Sequence, residues 1–347
     1  MTMLPAILNQ QFLTGVVRAY PAEAFIGQEF LPMQAVPGME TMWDIIMMDA
    51  KMAPFVAIDG ESELADKADV QRCFSELADI RIKEALNETD LLSLRMPGEP
   101  DVVTGLLATQ RSTSEQKIRQ TMDRMAARVW ARVEWARWQA LSTGAVAYTS
   151  KKVNFSVDYS VPSNQKVSLV GTTQWSDTTN ADPISDINDW VELILASSGR
   201  VATRMVVGMN VPGYLVNNAK IRDLLKSQGV ITSLINTKTV LSALGSILGL
   251  TITRYATKYQ NDAGVSTYFL DADTVVMMAD PVQSDGESLG DVATGPAKAN
   301  DWDTGLYAWV TEETDPWVTF AGAGIHAFPR LRHPNWLVCA DTCGGAG

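Results

Sequence analysis

Histidine and cysteine are scarce in this chain, and that scarcity closes off most catalytic chemistry at once. The two histidines, His326 and His333, lie in or beside late strand-like segments with no matched carboxylate or nucleophile nearby in sequence, so both read as structural. Three cysteines, Cys73, Cys339 and Cys343, are an odd count without framework spacing, which excludes a disulfide scaffold and points to a reducing compartment. Cys339-x-x-x-Cys343 has no second ligand pair, so it reads as a buried thiol and an incidental one rather than a zinc site. Phosphate-binding, dinucleotide-binding and nucleophile-elbow motifs are missing. Basic charge is also in deficit: 28 Lys and Arg against 40 Asp and Glu leave a net charge of -12, which opposes salt-sensitive wrapping of nucleic acid. The longest apolar stretch, Val240 to Ile252, is broken by Ser242, Gly245, Ser246 and Gly249 and is too short to span a bilayer. Met1 to Pro5 has no basic start followed by an apolar run, so no signal peptide is expected and the chain is expected in the cytoplasm when made.

What the sequence does have is a long amphipathic helix followed by an alternating strand. Ile118, Met122, Met125, Val129, Val133, Ala136 and Ala140 recur every three or four residues, and the stripe predicts a helix over about 114–142. Ser114 is the candidate N-cap and Gly144 the stop. At 1.5 Å per residue such a helix is roughly 45 Å long, more than most domains need to cover a core. Val153, Phe155, Val157, Tyr159 and Val161 then alternate with polar residues, as a half-buried strand does. A long strut beside a long strand suits a scaffold that spans distance.

Pro5, Pro21, Pro32 and Pro37 break the first 40 residues, which favours an extended arm. Met42 to Met48 is a strand candidate. Between Asp59 and Asp90 ten acids face four bases, whereas over Arg111 to Arg137 seven bases face three acids. The two segments complement each other within one chain or between neighbours, or they are two separately solvated faces, since exposed ion pairs are individually weak. Trp130, Trp135 and Trp138 lie on the helix. Trp130 and Trp138 fall off its main stripe, so part of that surface is expected to meet another element or subunit. From about 162 the pattern turns α/β: Asp182-Pro183 opens a helix that Gly199 ends, Met205 to Val207 is a short buried strand, and helices are predicted over Pro212–Lys226 and Thr237–Leu248. Strands are predicted at Leu250–Tyr255, Thr267–Asp271, Thr274–Ala279, Trp317–Phe328 and Trp336–Ala340, with 281–300 a Gly-, Ser-, Asp- and Pro-rich loop. Asp285 to Asp291 reads as a solvated acidic loop lacking calcium-ligand spacing, and Gly322-Ala-Gly324 as a flexible spot or bulge.

Five stretches, in this order, carry a resemblance: Phe25-Ile-Gly-Gln-Glu-Phe-Leu-Pro32; Trp43-Asp-Ile-Ile46 with Ala53-Pro-Phe-Val56; Arg72 to Lys83 with Leu91-Leu92; the helix and strand over 114–142 and 153–161; and Phe328-Pro-Arg-Leu-Arg-His-Pro-Asn-Trp-Leu-Val338. Their order and spacing resemble the lambda-like phage major capsid protein E family, which has the Hong Kong 97-type capsid fold. The resemblance implies an α+β fold with four parts. These are an N-terminal arm (1–40), an extended loop (50–90), a peripheral domain (91–161 and 302–330) holding the spine helix, and an axial α/β domain (162–301 and 331–347). It also implies a non-enzymatic structural role with no cofactor, metal or catalytic residue. Copies would form the hexamers and pentamers of an icosahedral virion head, built in the host cytoplasm around double-stranded DNA without sequence-specific binding. Decoration, scaffolding and portal proteins are the partner classes it suggests, with no membrane. Candidate inter-subunit contacts are Arg124, Arg128 and Arg132 on the helix of one copy and Glu61, Glu63, Asp66 and Asp69 on the loop of a neighbour. The alternatives are an encapsulin-like compartment, an enzyme with an α/β domain, and a nucleic-acid module using the basic helix.

Overall fold

A computed structural model describes residues 10–20, 25–47, 69–87, 107–149, 153–227, 236–283, 286–314 and 317–344. The described elements begin with α1 (Gln10–Arg18), the short turn α2 (Gly27–Phe30) and β1 (Met33–Ala35). The described part of the expected arm is not extended throughout, since it includes a packed helix. Leu13 and Val17, one helical turn apart, are fully buried, and α1 docks on its own chain. Proline breaks separate these elements without preventing them from packing.

β2 (Glu40–Met47) and β3 (Asp69–Glu76) pair as an antiparallel ribbon, with Glu40 opposite Glu76 and Met47 opposite Asp69. β4 (Ala78–Asn87) follows, and then α3 (Leu107–Thr143), the long helix. At 37 residues α3 is about 55 Å long and starts seven residues before the expected Ser114. Gly144 stops it as expected, at φ 69° and with its N–H on the Ala140 carbonyl. The stripe Ile118, Met122, Met125, Val129, Val133 and Ala140 is buried. β5 (Ala145–Thr149) and β6 (Asn154–Asp158) form the hairpin beyond it.

Most of the remaining strands fall in two five-stranded sheets. β7 (Lys166–Ser168), α4 (Pro183–Ser198) and β8 (Ala202–Val207) lead into α5 (Val211–Asn217), α6 (Ala219–Ser227) and α7 (Thr237–Leu248). Asp182 caps α4 by accepting from the Ser185 N–H, and Gly199 ends it at φ 69°, both as expected. The single helix expected over 212–226 is two, because Asn218 adopts extended ψ of 130° and its buried side chain caps Ile221. β9 (Thr251–Arg254), the hairpin β10 (Lys258–Gln260) and β11 (Ser266–Tyr268), and β12 (Thr274–Ala279) follow. β13 (Gly290–Thr294), β14 (Tyr307–Thr314), β15 (Trp317–Leu331) and β16 (Leu337–Asp341) close the fold.

One sheet has the order β7-β16-β12-β8-β9 and carries the α/β half. The other is organised on β15, fifteen residues long. β4 pairs along one edge of it, and β14 then β13 along the other, with β1 outside β13. α3 lies across β15 and β4. β13 overturns the expected 281–300 loop: all five of its residues are buried. Its Asp291 is no solvated acid either. It is 4 % exposed and is gripped by Arg330 and Arg332, both at 2.5 Å. Gly322 is not a bulge, since the register with β14 and β4 runs through it without a shift. A Cβ there would lie 2.3 Å from the indole of Trp309, so glycine is needed for close approach.

Candidate assembly surface

The expected contact residues separate into three groups. Glu61, Glu63 and Asp66 lie outside the described residues, while Asp69 opens β3 opposite Met47. Arg124 and Arg128 are exposed one turn apart on α3. Arg124 reaches Glu84 on β4 of its own chain at 3.5 Å, an exposed pair and therefore a weak one. Arg132 is engaged locally: it pairs with Asp262 at 2.5 Å and stacks over Trp135 and Tyr148 at 5.3 and 4.9 Å. The structure thus brings one acid of the 59–90 segment, Glu84, onto the basic face of the helix within the chain.

Arg137, counted with the basic face from sequence, is not on a surface. Its side chain and that of Glu134 have 0 % exposure and face each other at 3.2 Å. Glu134 accepts three further hydrogen bonds: from the Gly27 backbone N–H (2.9 Å), Trp138 Nε1 (2.8 Å) and Tyr255 OH (3.0 Å). One carboxylate therefore joins the N-terminal segment, the helix and the strand end after β9. Burial pulls the Arg137 guanidinium down while Glu134 opposes that shift. Burial, then the Glu134 charge, pushes the Tyr255 phenol well up, so it stays protonated and donates. Sequence reading missed this node. The only signal was two opposite charges three apart inside an apolar stretch, Val133-Glu-Trp-Ala-Arg-Trp138.

Trp138 meets another element, as its off-stripe position required. It is fully buried, stacked on Tyr255 at 4.8 Å and edge-on to Phe30 at 6.1 Å. His333 is buried and stacked on Trp336 at 4.2 Å, and Arg200 covers the Trp336 ring at 4.6 Å. Cys339 is buried with its thiol on the Leu141 carbonyl at 2.9 Å. On β2 and β3, the facing pair Met42 and Phe74 stands 66 % and 57 % exposed. Among the described residues no cluster of His, Cys, Asp and Glu would hold a metal ion, and no described helix is long and apolar enough to cross a membrane.

The exposed arginines of α3 and the exposed apolar pair on the β2–β3 ribbon leave surface for a neighbour to cover. The fold belongs to the phage capsid class. It is similar to a candidate capsid protein of a prophage of Escherichia coli CFT073, at TM-score 0.66 and 20% identity over 97% of this chain and 99% of that one. It is also similar to a phage-related protein from Bordetella bronchiseptica RB50, at TM-score 0.59 and 14% identity over 97% of both chains. The family profile named phage major capsid protein E matches residues 10–292, and the chain belongs to that family. No curated protein matches it. Membership assigns a structural role, in which copies of the chain assemble into the capsid of a phage virion.

Proposed function

We propose that this chain forms the head shell of a tailed double-stranded DNA phage as hexamers and pentamers on an icosahedral lattice of the Hong Kong 97 type. The observation that carries the reading is the family match over residues 10–292. In this reading residues 1–40 are the arm, 50–90 the extended loop, 91–161 with 302–330 the peripheral domain, and 162–301 with 331–347 the axial domain. The role is structural and requires no catalysis or cofactor, and assembly takes place in the host cytoplasm. The net charge of -12 suits a container that holds DNA without gluing it to the wall. Scaffolding, portal and decoration proteins are the partner classes to seek. Family membership favours this reading over a protein-loaded compartment.

The acidic loop of one copy, through Glu61, Glu63, Asp66 and Asp69, lies over the Arg124, Arg128 and Arg132 face of a neighbour in this proposal. Two exposed arginines one turn apart support it, as does the opposite charge of the two segments. Negative-stain electron microscopy of the full chain, beside a size-exclusion profile, tests the function. Closed shells or ring-shaped capsomers are expected. A monomer that stays monomeric even when co-expressed with its neighbouring genes would overturn the assignment.

A further inference from the structure

Trp302 is held out into solvent by backbone that L-residues rarely adopt. Asp301 and Trp302 both have left-handed φ, 52° and 65°, and the indole is 68 % exposed. A bulky residue kept there needs surroundings that impose the conformation. They are present: the N–H groups of Asn300 and Trp302 donate to Ala297 O at 2.9 and 3.0 Å, and Asp303 N–H donates to Asn300 O at 2.8 Å. From α1, Arg18 clamps the loop through Asp303 (3.0 Å), Thr304 O (3.1 Å) and Leu306 O (3.0 Å). The result is a rigid, exposed Asp301-Trp302-Asp303 knob. A preorganised tryptophan loses little freedom on docking, and tryptophan is among the residues enriched at the energetic centres of protein interfaces.

The same chain carries a hollow of matching chemistry that shares no residue with the knob. A cleft of about 670 Å³ lies between the middle of α3, β4 and the β10–β11 hairpin. Aromatic and aliphatic groups line it, among them Phe25, Ile82, Trp135, Tyr259 and Phe269. Arg81, Arg128, Arg132 and Lys258 also border it, against the single carboxylate of Asp262. Among the described residues Arg128 and Lys258 have no carboxylate within ion-pair distance, whereas Arg132 is taken by Asp262. An apolar floor with surplus cations fits an indole flanked by aspartates.

We propose that Trp302 of one copy seats in this cleft of a second copy, with Asp301 facing Lys258 on the β10–β11 side and Arg128 left to the acidic loop. Knob and cleft are different surfaces, which lets the contact repeat head-to-tail around the ring that the capsid reading requires. The inference rests on the capsid reading and names one contact within it.

A benzophenone amino acid placed at position 302 of the full chain, irradiated in assembled particles and mapped by mass spectrometry, tests it. Mixing isotopically light and heavy subunits separates contacts between chains from those within one. Crosslinks to 127–135 or 258–262 of another chain are expected. Crosslinks to residues 1–9 of the same chain, to the 48–68 segment, or nowhere would overturn the proposal while leaving the capsid reading intact. Wild-type chains that never assemble would overturn both. Should the labelled variant fail to assemble, hydrogen–deuterium exchange of wild-type subunits against particles decides. Protection gained at both 298–303 and 257–262 supports the contact, and protection missing at either sinks it.

Discussion

The carboxylate of Glu134 accepts a hydrogen bond from the backbone N–H of Gly27 at 2.9 Å, across 107 positions of sequence, inside a core with no water-facing side. Removing it strands the Arg137 charge and leaves three other donors without an acceptor. Glu134→Leu should therefore destabilise the subunit by roughly 3–5 kcal/mol, the cost of breaking a buried pair on one side. Urea unfolding of the unassembled subunit measures this. Replacing both Glu134 and Arg137 with apolar residues should recover part of the loss, and failure to do so would show that the bonds to Gly27 and Tyr255 matter more than the ion pair.

Gly27→Ala tests the same junction from its other side. A Cβ at Gly27 would sit 2.7 Å from Glu134 Oε2, so the segment must shift off the helix. Faster proteolysis between residues 19 and 30, with little change in the α/β half, is the expected outcome. Cleavage at the wild-type rate would mean that the segment is held elsewhere.

Gly322→Ala should cost about 1–3 kcal/mol by overpacking against Trp309, whose ring atoms lie 2.3–2.8 Å from the new methyl. Adding Trp309→Leu should make the alanine nearly neutral. Thermal unfolding of the two single variants and the double variant gives the coupling directly.

Acid should weaken the subunit through His333. Burial, the largest influence, lowers the affinity of its ring for a proton below the ordinary 6.5, although Glu287 opposes this. The unfolded chain then binds the proton more tightly, so this contribution is present above pH 6.5 and is lost as pH falls through the lower folded value. Its ceiling is about 1.4 kcal/mol per unit of depression. His333→Phe keeps a ring on Trp336 and should remove that part of the difference in urea stability between pH 7.5 and 5.5. An unchanged difference would assign the acid sensitivity to other groups.

The three thiols should differ in reactivity. Burial pushes Cys339 up to about 12, and its thiol faces the Leu141 carbonyl, whereas Cys73 and Cys343 are half-buried. A thiol reagent at pH 8 should label Cys73 and Cys343 in the folded subunit and reach Cys339 only on unfolding. Early labelling of Cys339 would show that the end of α3 opens.

The elements whose signal is local were legible from the sequence. The α3 stripe, the Gly144 and Gly199 stops, the Asp182 cap and β12 over Thr274–Ala279 follow from periodicity and caps that neighbours in sequence enforce. So did the expectation that Trp138 meets another element. The tertiary structure decided what rests on partners far away in the chain. β13 reads as a polar loop until Arg330 and Arg332 neutralise Asp291 and β1 and β15 take its backbone bonds. Glu134 and Arg137 read as rod surface until Gly27 and Tyr255, 107 and 121 residues away, close over them. Sequence patterns register the free energy a residue gains from its own turn or strand. A buried charge or a tightly packed glycine is settled by atoms that only folding brings near.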